Sequence, residues 1–340
     1  MAVNSISDVL ERVRGIDLEH ALGLRPARPQ VALALDGREV SLVRLKKGRR
    51  RAGPTLEAQQ CFELDEAAVP TTLSDQNGAP GSEFGASVLS AYEALGVRPG
   101  SITLVLPDNL AKISLLTLPE RPPTRRQLLE VIRFKMHRAV PFRFSEAALS
   151  FQIIPGKGPG LNVLVALMRR ELVERYERIL EGLGARPGLV DLCTPNLLNL
   201  CRDRVNLLSK EEGDVALLNC TANYFSLIIM REGQLIFYRC KNYSYGGSQR
   251  ETLKEILARE VAGSFSYYRE KLEGERIGLV LVRTVETPYE EILAVLQGLE
   301  LEAVEPIDPL AKLALAEGIS IDPQLAQRLA PVIGATLGRG

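Results

Sequence analysis

The sequence predicts an α/β protein of two related lobes. Three observations carry that expectation. The chain has 340 residues, more than one hydrophobic core comfortably serves. Strand-type and helix-type periods alternate along most of it, which argues α/β or α+β rather than a helix bundle. A three-strand meander opens each half, at 31–63 and again at 214–240, and a helix-containing segment follows each time.

Residues 4–24 suit an amphipathic helix, capped by Ser5 or Ser7, with Ile6, Val9, Leu10 and Val13 on one face. Pro26 to Pro29 then reset the chain. Strands are expected at 31–36, 39–45 and 55–63. Asp36-Gly37 joins the first two as a two-residue hairpin, read as a type I′ turn. Lys46, Lys47, Arg49, Arg50 and Arg51 cluster around Gly48, ahead of Gly53-Pro54. They read most simply as a hairpin tip in water, and contact with headgroups or an acidic partner is the sharper reading. Residues 64–82 are rich in Pro, Gly, Ser and Thr and read as a loop. A helix at 84–96 follows.

Further strands are expected at 102–107, 113–118, 147–154 and 161–168, with Gly156, Gly158 and Gly160 marking the turn between the last two. A helix at 169–183 closes at Gly184. A strand at 189–192 and a helix at 195–204 complete that stretch. After Ser209–Gly213, the meander 214–219, 224–231 and 234–240 turns at Arg231-Glu232-Gly233. Gly246-Gly247 precede a helix at 248–272. A strand at 277–282, a helix at 288–298, a strand at 301–305 and a helix from Pro323 finish the chain. The expected divisions are a helical extension at 1–29, first lobe at 30–101, insert at 102–192, closing helix and linker at 193–212, and second lobe at 213–340. The second lobe includes a helical part at 246–275 and a C-terminal return helix.

Composition narrows function. The apolar share is 46% and the charged share 25%, ordinary for a globular chain. Forty-two basic and 42 acidic residues cancel, so no global field draws in nucleic acid or membrane. No apolar run is long enough for a transmembrane helix, and no signal peptide is read at the start. Cys61, Cys193, Cys201, Cys220 and Cys240 are scattered, with no Cys-x-x-Cys pair, and read as reduced core residues. With His20 and His137 alone, a His-based metal site or a Ser-His-Asp hydrolase has little support. No catalytic residues and no metal ligands are expected.

Residues 113–154 are the most informative stretch. Pro119, Pro122 and Pro123 end a strand, Thr124 stands at a helix N-cap, and Leu128, Leu129, Ile132 and Met136 form one apolar stripe. Arg125, Arg126, Arg133, Lys135 and Arg138 fill the rest, and Pro141 stops the helix. The cations read first as a solvated face. An acidic partner surface or anionic lipid headgroups are the alternatives.

Leu118-Pro119 before this helix and Val140-Pro141-Phe142 after it resemble the actin-like type IV pilus assembly proteins of the PilM family. The resemblance runs from about residue 31 to 338. It takes in Leu161–Ala166 with the helix after it, Gly184, the Phe237-Tyr238-Arg239 strand end, Gly246-Gly247, and Ala330-Pro331 with Gly334. It implies an actin/Hsp70-like fold of two lobes around a cleft, with 102–192 as the small inserted subdomain.

The resemblance also implies ATP in the cleft, held by two phosphate hairpins and a glycine pair. This sequence departs at each contact. Aligned on Val40-Ser41-Leu42-Val43, the first-hairpin Asp position falls on Ala34 and the Lys position on Ser41, with Asp36 and Gly37 two residues displaced. In the second hairpin the Asp position falls on Asn219 and the Gly position on Thr221, followed by bulky Tyr224 and Phe225. The third strand leads into Arg283-Thr284-Val285 instead of glycines. An Asn removes the anion that would hold a hydrated Mg²⁺, and a side chain at Thr221 obstructs phosphate approach. The expectation is a degenerate, nucleotide-independent member with no cofactor. ATP and Mg²⁺ enter only if a shifted hairpin at Asp36-Gly37, or Gly246-Gly247, compensates. Arg283 is a candidate replacement for a cation in the cleft.

The function implied by resemblance is a cytoplasmic scaffold, peripheral at the inner membrane. It captures the N-terminal tail of a PilN-like membrane protein and reaches the membrane only through that partner. Arg125, Arg126, Arg133, Arg138 and Phe142 are the candidate surface for further partners such as the motor ATPase. An active ATP-binding switch is the alternative, marked by the Asp residues missing here. So is a cytoplasmic component of a type II secretion platform, which normally continues into a transmembrane helix. A division anchor would need a cationic amphipathic C-terminal helix, and Leu325–Leu337 fits core packing better.

Overall fold

The structure, a computed structural model, describes residues 28–48, 53–65, 82–97, 100–154, 160–211, 213–243, 253–299 and 301–337. The expected helix at 4–24 with His20, most of the 64–82 loop, Arg49–Arg51, Gly156, Gly158 and Gly246-Gly247 lie outside these residues. The first stretch contains β1 (Val31–Asp36), β2 (Glu39–Lys46), β3 (Thr55–Glu63), α1 (Ser82–Ala94) and β4 (Ser101–Leu106). Then come β5 (Ala111–Leu118), α2 (Arg125–Met136), β6 (Ala147–Ile154), β7 (Leu161–Arg169), α3 (Arg170–Gly182), β8 (Arg186–Leu192) and α4 (Cys193–Glu211). The remainder is β9 (Asp214–Cys220), β10 (Tyr224–Arg231), β11 (Gln234–Asn242), α5 (Leu253–Lys271), β12 (Ile277–Thr284), α6 (Tyr289–Leu296), β13 (Val304–Pro306), β14 (Ala314–Leu315) and α7 (Pro323–Leu337).

Two large sheets repeat one plan. The first runs β14-β3-β2-β1-β4-β8 and the second β11-β10-β9-β12-β13. In each, an antiparallel meander continues into strands parallel to its first member. The register repeats as well, because Ala34 faces Ser41 in one hairpin and Asn219 faces Ser226 in the other. The short β14, which no period in the sequence marks, caps the open edge of β3.

The insert is smaller than the expected 102–192. Only β5, β7 and β6 form the third sheet, while β4 and β8, at the two ends of that stretch, pair with each other in the first large sheet. Parallel pairing between strands some 80 residues apart leaves no local mark, so the boundary moves inward. α3 likewise belongs to the first lobe, where Tyr176 meets Phe84 of α1 edge-on at 6.1 Å. In the insert, α2 begins at a capping box. The Thr124 hydroxyl accepts from Gln127 N and the Gln127 side chain accepts from Thr124 N, both at 3.2 Å. Leu128, Ile132 and Met136 then pack on Val163, Val165 and Leu167 of β7.

Each large sheet is covered on its outer face, the first by α1 and α3 and the second by α5 and α6. Between the sheets lie α4 and α7, packed on each other. α4, which follows the first sheet's last parallel strand, lies on β9 and β10. α7 returns to lie on β1 and β2. The helices therefore cross between lobes. Packing is closest at Gly334 of α7, where a Cβ would stand 1.9 Å from the Asn196 carbonyl oxygen of α4. Arg28 ties the entry to β1 into the same layer, donating to Asp191, Asn196 and the Ala335 carbonyl at 3.0–3.1 Å.

Candidate functional site

The β1–β2 and β9–β10 turns and the end of β12 converge on the cleft between the lobes. The first turn has two central residues, Gly37 and Arg38, and only Gly37 (φ +61°) has positive φ. That is the pattern of a type II′ turn, not the expected type I′. The type I′ pattern occurs instead at Glu232-Gly233, with φ +50° and +75°. A Cβ on Gly37 would sit 3.2 Å from Asn223 Nδ2 in the second turn. The two hairpin tips thus touch across the mouth of the cleft.

The second turn is stapled by Thr221. Its hydroxyl accepts from Asn223 N at 3.3 Å and Tyr224 N at 3.2 Å, and donates to the Tyr224 carbonyl at 3.0 Å. The turn's own side chain thus takes up both amides.

Behind the turns runs a buried polar chain. Arg283, only 1% exposed, donates from Nη1 to Asn219 Oδ1 at 2.9 Å and from Nε to the Gln327 carbonyl of α7 at 2.8 Å. Asn219 Nδ2 donates to Thr194 Oγ1 at 3.1 Å. Asp108 accepts from the Thr194 amide, the Thr194 hydroxyl and Ser226 Oγ. Thr194 is in the first turn of α4, so the Asp108 carboxylate also caps that helix from outside. Asp108 belongs to the first lobe and Ser226 to the second, so this hydrogen bond joins the lobes. On the other side of the cleft, Arg328 of α7 reaches Glu39 at 3.3 Å and Glu63 at 3.8 Å.

Burial dominates the electrostatics. It raises the Asp36 carboxyl to about 7, against the opposing pull of Arg283. It raises Glu39 and Asp108 too, countered at Asp108 by the hydrogen bonds from Thr194 and Ser226. The same burial works against the Arg283 charge, and the nearby carboxyls of Asp36 and Glu39 favour it. The space remaining between Asp36, Glu39, Ser41, Cys193, Arg283 and Arg328 is about 10 Å³. One water needs that much.

Of the residues singled out from sequence, the structure brings Asp36, Gly37, Ser41, Asn219, Thr221 and Arg283 to this cleft. Ser41 is buried opposite Ala34. Asp108, Thr194, Ser226, Glu39 and Arg328 join them without having been singled out. The candidate partner surface divides. Arg126 (paired with Glu130 at 3.3 Å), Arg133 and Arg138 are exposed. Arg125 folds back over the Phe151 ring, and Phe142 is half-buried under Arg169, 4.6 Å from its guanidinium. Phe134, which was missed, is 77% exposed. Its signal was present, since it falls off the apolar stripe of its helix.

The profile of the type IV pilus assembly protein PilM family matches residues 54–260. The chain belongs to that family. A solved PilM-PilN type IV pilus biogenesis complex superposes with a TM-score of 0.70 at 17% identity, over 92% of this chain and 97% of that one. Looser likenesses, at 11% identity, include a Bacteroides thetaiotaomicron protein with an actin-like ATPase fold (TM-score 0.47, 86% of this chain and 94% of that one). Another is the cytoplasmic domain of EpsL, an inner membrane component of the Vibrio cholerae type II secretion system (0.46, 88% and 93%). No curated protein matches. The PilM fold of this chain is actin-like. No helix among the described residues is long and apolar enough to cross a membrane.

Proposed function

We propose that this PilM-family chain is a nucleotide-independent scaffold of a type IV pilus assembly platform. It works on the cytoplasmic side of the inner membrane and holds the N-terminal tail of a PilN-like membrane protein. The observation that carries the reading is the Arg283–Asn219–Thr194–Asp108–Ser226 chain. In a nucleotide-switched member of the fold, phosphates and a metal bridge the lobes. Here an arginine, two hydroxyls, an amide and a carboxylate do so, and Thr221 closes the second hairpin on itself. Membership of the PilM family and the likeness to a PilM-PilN complex favour the partner. An extended tail gains affinity from main-chain hydrogen bonds and alternate side-chain pockets, which needs a rigid body but no nucleotide.

Two measurements test the proposal. Calorimetric titration with Mg-ATP and with Mg-ADP, alongside thermal shift, is expected to show neither heat nor stabilisation at millimolar nucleotide. Micromolar binding would restore the ATP-switch reading. Co-purification with the PilN-like partner is expected to be lost when the first residues of the partner's tail are removed, and retention would sink the tail model.

A further inference from the structure

We propose that the outer face of α2 docks directly on anionic phospholipid headgroups, with the Phe134 ring seated at the membrane interface. This contact is additional to any tethering through a partner and independent of the cleft.

Between residues 121 and 143 the sequence carries seven Lys or Arg and one Glu, in a chain whose net charge is zero. α2 spends its apolar side on the small sheet through Leu128, Ile132 and Met136. What remains outward is Arg126, Arg133, Lys135 and Arg138 around one protruding aromatic. At 77% exposure Phe134 is the most exposed large hydrophobic side chain among the described residues. Its base is fixed, since His137 Nδ1 lies 2.7 Å from its carbonyl oxygen and the two rings are 6.1 Å apart. The one acidic residue, Glu130, is engaged by Arg126. Among the described residues Arg133, Lys135 and Arg138 make no ion pair that would fix their direction.

This arrangement suits a fluid array of phosphates better than an acidic protein. A protein interface draws its affinity from a cluster of anchors fitted to partner pockets, and this face has a single ring. An interfacial helix needs only long cations that can reach headgroups and a small apolar wedge among them. Each cation close to an anionic leaflet raises partition about fivefold.

The test is flotation of the full chain with vesicles of phosphatidylglycerol and phosphatidylcholine in equal parts, with phosphatidylcholine alone, and with poly-glutamate as an acidic polypeptide. The protein is expected to float with the anionic vesicles, to do so less at high salt, and to stay behind with phosphatidylcholine. Phe134→Ala should lower the partition about tenfold, the transfer value of a mostly buried ring, and Arg126→Glu with Arg133→Glu should abolish it. Leu207→Ala, a 53%-exposed position on α4, should leave it unchanged. Absence of anionic-vesicle binding, or binding that survives Phe134→Ala and the double charge reversal, overturns the proposal. So does capture by poly-glutamate that is indifferent to Phe134 and unaccompanied by flotation, which assigns the face to an acidic protein.

Discussion

Arg283 and Asn219 stand opposite each other on the adjacent parallel strands β12 and β9, and Arg283 Nη1 donates to Asn219 Oδ1 at 2.9 Å. Arg283 also donates to the Gln327 carbonyl of α7 at 2.8 Å and is 1% exposed. It is buried with two carboxyls, Asp36 and Glu39, within electrostatic reach. Breaking such a buried arrangement from one side leaves the other uncompensated. Arg283→Ala is therefore expected to cost about 3–5 kcal/mol, read from urea unfolding near neutral pH. A loss under about 1 kcal/mol would show that water replaces the guanidinium at little cost.

Asp36 makes stability depend on pH. Folded, it keeps its proton up to about pH 7, whereas its ordinary value is 3.8. Between those values the folded state binds more protons than the unfolded state, so stability falls as pH rises and levels off above 7. Asp36→Asn should flatten part of this slope. It should raise stability at pH 8, by at most about 4 kcal/mol, while leaving pH 4 nearly unchanged. Glu39 and Asp108, shifted in the same direction by burial, leave a residual slope of the same sign. Equal curves for wild type and variant at pH 8 would count against a strained Asp36.

Thr221→Val keeps the shape of the second turn but removes the oxygen that accepts from two amides. Leaving buried donors unpaired costs about 1–3 kcal/mol. Faster hydrogen exchange should appear at Asn223 and Tyr224 specifically, and unaltered protection there would contradict the staple.

Two glycines should respond in opposite ways. Gly334→Ala drives a methyl into the Asn196 backbone, so loss of about 3 kcal/mol or more, or failure to fold, is expected. Gly263 is exposed within α5, and a methyl added there would meet nothing within 4 Å. Gly263→Ala should therefore gain about 0.5–1 kcal/mol. Thermal midpoints of both variants decide the comparison.

Much of the fold was legible because its signals are local. Asp36-Gly37, Gly184 at φ +81° and Glu232-Gly233 mark turns by their own backbone demands. Thr124 with Gln127 announces the start of α2. Partner identity was less legible. That β4 and β8 pair with each other across the insert depends on contacts far apart in sequence. α4 runs to Glu211 rather than 204, because Val205 and Ser209 continue its buried face past the residues of weak helix propensity around Asn206. In the cleft, the substituted positions Asn219, Thr221 and Arg283 could be named from sequence. Asp108 could not, since it lies 86 residues from Thr194 and 118 from Ser226 and nothing around it is patterned.

The crossing of α4 and α7 bears on how the protein is made. The layer that covers the inner face of β1 and β2 is supplied by α7, about 290 residues later in the chain. At about 5–20 residues per second of synthesis, the first sheet emerges from the ribosome with that apolar face bare for roughly 15–60 s. Nascent-chain chaperones should occupy it during that interval. A message truncated before Pro323 should yield a product that is cleared by proteolysis rather than a functional half.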